Sequence, residues 1–142
     1  MLQFMNATDV RKKWSSVVDA TIRVKPQFFK RTRDYVFLSD FHFMEDLLAG
    51  YSYSATQMTE EDGSITLALN EIDLVENGKD EKDARKKLAS AILEYAEDYY
   101  SDFSYWESAP NRKSHIPYVF KALFIGDIQK IGESIRCQAG KN

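Results

Sequence analysis

The chain has 142 residues, 44% hydrophobic and 29% charged, with a formal net charge of −3. This composition can build a core and argues against wholesale disorder, and the length allows one ordinary domain or two very small ones. No apolar run approaches the roughly 20 residues needed to cross a bilayer. Met1-Leu2-Gln3-Phe4-Met5-Asn6 lacks the apolar stretch of a secretory signal. A single cysteine, Cys137, excludes an internal disulfide, and only two histidines, His42 and His115, argue against a His-based metal centre. The expectation is a cytoplasmic protein with no metal or cofactor.

A short strand is predicted over Gln3 to Met5, followed by a helix capped by Asn6 or Thr8. Val10, Trp14, Val17, Val18, Thr21 and Ile22 recur there at helical spacing. That stripe makes Trp14 a core residue, whose loss should cost about 3–5 kcal/mol. Pro26 closes the helix. Two strands fit Gln27 to Arg33 and Tyr35 to Ser39, with a tight turn at Arg33-Asp34. Ser39 or Asp40 caps a short helix, Phe41 to Ala49, with Gly50 placed to end it.

Tyr51-Ser52-Tyr53-Ser54 reads as a change of unit, giving an N-terminal domain over 1–50 and a C-terminal domain over 51–142. Strands are expected over Ala55 to Thr59 and Ser64 to Leu69, around the turn Glu60 to Gly63, with a shorter one over Ile72 to Val75. Asn77-Gly78 is a turn signal. Asp80 then caps the longest helix, about Glu81 to Asp102, on a stripe of Ala84, Leu88, Ala91, Ile92, Tyr95 and Tyr99. Ser108 to Arg112 is a loop, and Pro117 lies in the first turn of a helix that runs to Phe124. Gly126-Asp127 separates it from a last short helix, Ile128 to Ile135, and the tail from Gln138 is expected to fray. The fold class is therefore α+β, with a long helix in the second region.

Charge is segregated along the chain. Residues 1–33 carry eight Lys/Arg and two Asp/Glu; residues 34–76 carry ten Asp/Glu and no Lys or Arg. A basic end joined to an acidic body points to a polyanionic partner, and the competing reading is solvated faces that differ in sign. Arg11-Lys12-Lys13 falls in the first turn of the predicted first helix, where the helix dipole disfavours cations. A phosphate backbone would supply a reason for them, and Lys30, Arg31 and Arg33 add a second basic cluster on the hairpin. The alternative is that these cations contact acids of 34–76.

Catalytic signatures are absent: no phosphate-binding loop, dinucleotide fingerprint, nucleophile elbow or His-Glu zinc motif occurs. Glu94, Glu97 and Asp98 would suit a metal-dependent nuclease only if their carboxylates converged, and their spacing fits a solvated helix face. His42, between Phe41 and Phe43, reads as packed or capping; His115 has no evident partner, and Cys137 has no motif for nucleophilic use. Aromatics crowd the segment from Tyr99 to Phe124. Most belong in a core, and Tyr105, Trp106, Tyr118 and Phe124 are the candidates for an interface.

Asn6-Ala7-Thr8-Asp9-Val10-Arg11, the Trp14/Val17/Val18 stripe, the strand through Tyr35-Val36-Phe37-Leu38-Ser39 and the helix through Phe43-Met44-Glu45-Asp46-Leu47-Leu48 resemble the N-terminal domain of Phd/YefM antitoxins over about residues 1–50. The resemblance implies a small antiparallel sheet with two helices, pairing of two protomers through this domain, and operator DNA binding that represses the antitoxin's own operon. It makes Arg11 the best DNA-contacting candidate, with Thr8, Lys12 and Lys13 beside it and Lys30, Arg31 and Arg33 on the hairpin. Continuing past residue 50 with strands and a long helix, the chain looks like the extended Phd-like antitoxins paired with RelE-type toxins. The implied toxin contact is Tyr105, Trp106, Tyr118 and Phe124 together with the acidic surface of 34–76. Ile65 to Tyr99, with Asn77-Gly78-Lys79-Asp80-Glu81-Lys82-Asp83-Ala84, also resembles the HicB antitoxin core in topology. A non-enzymatic antitoxin is the leading expectation; an acid-cluster nuclease and an interaction module without DNA binding are the alternatives.

Overall fold

Asn6 ends a two-residue strand, β1 (Met5–Asn6), and starts helix α1 (Ala7–Lys12) by accepting the Thr8 backbone N–H on its side-chain oxygen at 2.8 Å. The computed structural model describes residues 2–140. The chain divides into two units, the first ending at Leu47 and the second beginning at Leu48. In the first unit the backbone leaves helical geometry at Lys13 (φ −112°, ψ 30°), and α2 (Trp14–Arg23) follows. The single helix expected from the sequence is thus two. Strands β2 (Gln27–Arg31) and β3 (Asp34–Leu38) pair antiparallel with Phe29 opposite Val36. Their turn is Thr32-Arg33 rather than Arg33-Asp34, and Thr32 takes the left-handed φ of 56° that it requires.

The first sheet has the order β1-β2-β3, and β1 lies parallel to β2 with Met5 opposite Phe29. The sheet is therefore mixed, not wholly antiparallel. The two helices between β1 and β2 bring the chain back in its original direction, as a parallel pair demands. Helix α3 (Phe41–Leu48) begins where the Asp40 carboxylate accepts the His42 N–H at 3.1 Å. Gly50 adopts no left-handed φ, so it does not end this helix in the expected way.

Val10, Val17 and Thr21 are buried, and the Thr21 hydroxyl donates to the Val17 carbonyl at 2.7 Å. Trp14 is 52% exposed, and Ile22 is exposed with it. The expectation that Trp14 is a core residue is corrected here. A sheet of one two-residue and two five-residue strands covers the Val10/Val17/Thr21 ridge but not the flank that carries Trp14 and Ile22.

The second unit is a four-stranded sheet of order β6-β5-β4-β7. Strands β4 (Ser54–Thr59) and β5 (Ile65–Leu69) are antiparallel around a turn in which Gly63 has φ 86° and Asp62 Oδ1 accepts the Ser64 N–H at 2.9 Å. The next strand is β6 (Val75–Gly78), so Asn77 and Gly78 lie in a strand and not in a turn. Ile72, placed in a strand by its apolar neighbours, is instead a buried residue of the preceding loop. Asp80 caps α4 (Glu81–Ser101) through the Asp83 N–H, as its position before the acidic first turn predicts.

Helix α5 (Phe103–Ser108) forms where the sequence pattern predicts no element, and β7 (Arg136–Ala139) pairs parallel to β4, so Gln138 and Ala139 are strand and not a fraying tail. Between them, a 3-10 turn (Lys113–His115) leads into α6 (Ile116–Ile125), which ends at Gly126 with φ 65°, and α7 (Ile128–Ser134) is capped by Asp127. Leu88, Ile92, Ala96 and Tyr99 of α4 are buried with Leu67 and Leu69 of β5, Val119 of α6 and Ile131 of α7.

Gly78 is required by close approach. A Cβ there would lie 2.2 Å from the Ala84 backbone nitrogen at the start of α4. Gly78→Ala should therefore destabilise the protein by about 1–3 kcal/mol in urea unfolding. Gly50→Ala, with nothing within 4 Å of the added Cβ, should change it by less than about 0.5 kcal/mol. Equal effects of the two changes would refute this account of Gly78.

Candidate functional site

The pairing of β1 with β2 sets Asn6 opposite Lys30, which brings the start of α1 beside the end of β2. Asn6, Ala7, Thr8 and Arg11 from one side and Arg31 and Thr32 from the other line an open depression of about 510 Å3. Thr8 and Arg11 are three residues apart and share a helix face. Three of the seven sequence-derived DNA-binding candidates, Thr8, Arg11 and Arg31, are thus brought together. Lys12, Lys13, Lys30 and Arg33 are exposed but do not line the depression.

The Arg11-Lys12-Lys13 cluster does not lie in the first turn of a helix as the sequence pattern predicts. Because α1 ends at Lys12, Arg11 and Lys12 occupy its last turn, where the helix carbonyls favour cations. Their position relative to the dipole calls for no polyanion. What remains is their freedom: among the described residues, none of Arg11, Lys12, Lys13, Lys30, Arg31 and Arg33 forms an ion pair with a carboxylate. Within the first unit, Asp34, Asp40, Glu45 and Asp46 therefore do not neutralise them.

The four aromatic candidates fall into separate settings in the second unit. Tyr105 is exposed on α5, and its ring meets the half-buried Trp106 at 5.6 Å. Trp106 stacks on Tyr99 (5.9 Å, 21°) and meets Tyr95 edge-on at 5.6 Å. The Arg112 guanidinium lies 6.0 Å from both the Tyr95 and Trp106 rings and 3.8 Å from the Asp73 carboxylate. Tyr118, on α6, packs instead against Tyr51 at 5.5 Å and Tyr53 at 6.1 Å, and its carbonyl accepts the Tyr53 hydroxyl. Phe124 is half-buried farther along α6.

His115 has a partner that sequence inspection missed: its Nδ1 lies 2.7 Å from the Tyr95 hydroxyl, across 20 residues of chain. Burial pushes the His115 pKa down, Arg112 adds to the effect, and Asp73 opposes it. His42 is exposed, with Nδ1 2.8 Å from a Glu45 carboxylate oxygen. Burial raises the Cys137 thiol pKa despite Arg85, whose Nη2 is 3.2 Å from the sulfur, so the nucleophilic thiolate is disfavoured. Glu94, Glu97 and Asp98 are all exposed on α4, and among the described residues no group of three or more His, Cys, Asp or Glu is arranged to hold a metal. No described helix is long and apolar enough to cross a membrane.

A family model of PHD-like antitoxins from RelE/RelB toxin–antitoxin systems matches residues 1–137. The chain belongs to this antitoxin family. The antitoxin is also similar to a crystal structure, from Syntrophomonas wolfei subsp. wolfei, of an antitoxin part of a candidate toxin/antitoxin system. The TM-score is 0.92 and the identity 36%, over 98% of this chain and 100% of that one. Among curated proteins none matches the sequence. The family match therefore extends through the first unit and on to residue 137 of the second. An antitoxin of this kind has a regulatory, non-enzymatic role, and its partner is a toxin.

The setting of His115 gives the antitoxin a defined acid sensitivity. The folded state holds this pKa below the ordinary 6.5, so the unfolded chain takes up the proton first as pH falls. The contribution is whole above about pH 6.5 and is lost as pH drops from there towards the folded value. Urea unfolding at about pH 7.5 and about pH 5.5 should show a larger loss for the wild type than for His115→Gln. Identical losses would rule out His115 as a source.

Proposed function

We propose that the antitoxin neutralises a RelE-type toxin through the region 51–142 and represses its own operon by binding operator DNA as a homodimer through the region 1–50. The observation that carries the dimer is the state of the first unit. Eleven large hydrophobic residues between Leu2 and Leu47 are exposed, Trp14, Phe28, Val36 and Phe37 among them, while Val10 and Val17 are its buried aliphatic residues. So small a unit is not stabilised by two buried valines. A second copy offering the same apolar face supplies the missing cover through a self-complementary twofold contact.

Twofold pairing also repeats the Thr8/Arg11/Arg31 depression, which suits a palindromic site and doubles the phosphate contacts. Lys12, Lys13, Lys30 and Arg33, neighbours in sequence of the lining arginines, are exposed cations without a carboxylate partner among the described residues and can exchange counterions for phosphates. In the second unit, Tyr105, Trp106, Tyr118 and Phe124 remain the aromatic candidates for toxin contact, of which Tyr105 is the most exposed. RNase toxins of the RelE type bind polyanionic RNA, so acidic surface on the antitoxin steers their encounter.

Sedimentation of the full chain should give twice the 16.4 kDa chain mass, and Trp14→Ser combined with Phe37→Ser should shift it towards monomer. Gel-shift titration on DNA from upstream of the antitoxin gene should show Arg11→Ala and Arg31→Ala each weakening binding by about tenfold, consistent with roughly 1–3 kcal/mol per arginine contact. The salt slope should become shallower by about 0.9 for each phosphate that the variant no longer neutralises. Affinity unchanged by both substitutions would remove the depression from this role, and a monomeric wild type would remove the twofold interface.

A further inference from the structure

We propose that the surface through which this antitoxin holds its toxin is the end of the second unit built from the last turns of α4 and from α5, and that it receives a cationic, arginine-bearing face of the toxin. The inference rests on the antitoxin reading above and narrows where its partner docks.

The surface is built on a chain of touching rings. Tyr100 meets Phe120 at 6.1 Å, Phe120 meets Phe103 at 6.1 Å, and Phe103 meets Tyr99 at 5.7 Å. From Tyr99 the chain continues through Trp106 at 5.9 Å to Tyr105 at 5.6 Å. Its middle is anchored, since Tyr99 is fully buried and its hydroxyl donates to the Arg112 carbonyl at 2.8 Å. Its two ends are not: Tyr100 is 55% and Tyr105 61% exposed, and α5 contains no buried residue. Amphipathic rings held by a packed neighbour lose little entropy on binding and make good anchors.

Charge identifies the occupant. Residues 88–111 include Glu94, Glu97, Asp98, Asp102 and Glu107 and no Lys or Arg. Glu94, Glu97, Asp98 and Asp102 lie towards the carbonyl end of α4, whose last turn has no basic residue, so helix dipole and carboxylates repel there. None of the five forms an ion pair among the described residues. The cations of α4 are at its other end, where Arg85 and Lys87 already pair with Glu81 and Asp83. Along a helix that rises about 1.5 Å per residue, that end lies beyond the roughly 8 Å screening length of physiological salt.

A partner cation relieves this repulsion, and an arginine satisfies the carboxylates and the rings together. The molecule already makes one such contact, with Arg112 over Tyr95 and Trp106. Tyr118 is engaged with Tyr51 and Tyr53 and lies outside this surface.

The test is calorimetric titration of the full-length antitoxin with the RelE-type toxin encoded beside it, at two salt concentrations. The Glu97→Gln/Asp98→Asn pair should weaken binding by tenfold or more and flatten its salt dependence, while raising the antitoxin's own melting temperature because it removes the repulsion. Tyr105→Ala should weaken binding by a similar factor with the salt dependence kept, and Glu133→Gln, on α7, should leave binding unchanged. If the wild type binds and these α4–α5 variants bind as tightly, the surface is overturned while the antitoxin reading survives. If the wild type itself does not bind, both fall together.

Discussion

One face of α4 organises the second unit. Leu88 and Ile92 are fully buried in one core with residues of the sheet, α6 and α7, and most other features of the unit depend on that seat. Its first turn fits against β6 because Gly78 offers no side chain. Arg85 reaches across to donate to the Gly132 carbonyl at 2.9 Å and the Ile135 carbonyl at 2.5 Å, which ties the end of α7, and so the entry to β7, to the helix. Farther along, Tyr95 meets His115 and Tyr99 meets the Arg112 carbonyl, so the loop after α5 is fixed by the same helix. Removing so many apolar groups from water at one helix face is the dominant favourable contribution to such a unit.

The first unit shows the opposite balance. Its helices and hairpin are locally well specified, by the Asn6 cap, the Asp40 cap and the β2–β3 register, yet they enclose little. This local order without enclosed apolar volume is the observation behind the proposed pairing of two copies. The charge distribution follows the same division. Unpaired cations collect around α1 and the hairpin of the first unit, and unpaired carboxylates at the carbonyl end of α4 in the second. Each of the antitoxin's surfaces is thus left unsatisfied in a different way, apolar area and positive charge on one unit, aromatic edges and negative charge on the other.

Caps and stripes were legible in the sequence because they are local. Asn6 and Asp80 cap helices as their neighbours predict, and Leu88, Ile92 and Tyr99 are buried as their spacing requires. The misreadings share a cause, namely dependence on something distant. Trp14 sits at the right interval to be core, but periodicity cannot reveal whether a second layer exists to cover it. The break at Lys13 carries no Gly or Pro signal, so the pattern places Arg11 and Lys12 at the wrong end of a helix. Thr32 is β-branched and a poor advertisement for a left-handed turn position. In the candidate site, Thr8, Arg11 and Arg31 converge through a parallel pairing of β1 with β2 that no local pattern announces, and the grouping of Tyr105 with Trp106 apart from Tyr118 depends on α5.

The position of β7 has a consequence for the order in which the second unit assembles. Arg136 Nη2 donates to the Ser52 hydroxyl across 84 residues of sequence, and the Arg136 N–H bonds to the Tyr53 carbonyl beside it. Pairing at such separation closes a long loop before it returns any stabilisation, which slows folding. The β4–β5 hairpin forms from neighbouring segments, whereas the other edge of β4 stays open until α4, α6 and α7 have been laid down. During that interval β4 presents unpaired backbone donors and acceptors, a template for another chain's strand, and closure by β7 ends the exposure.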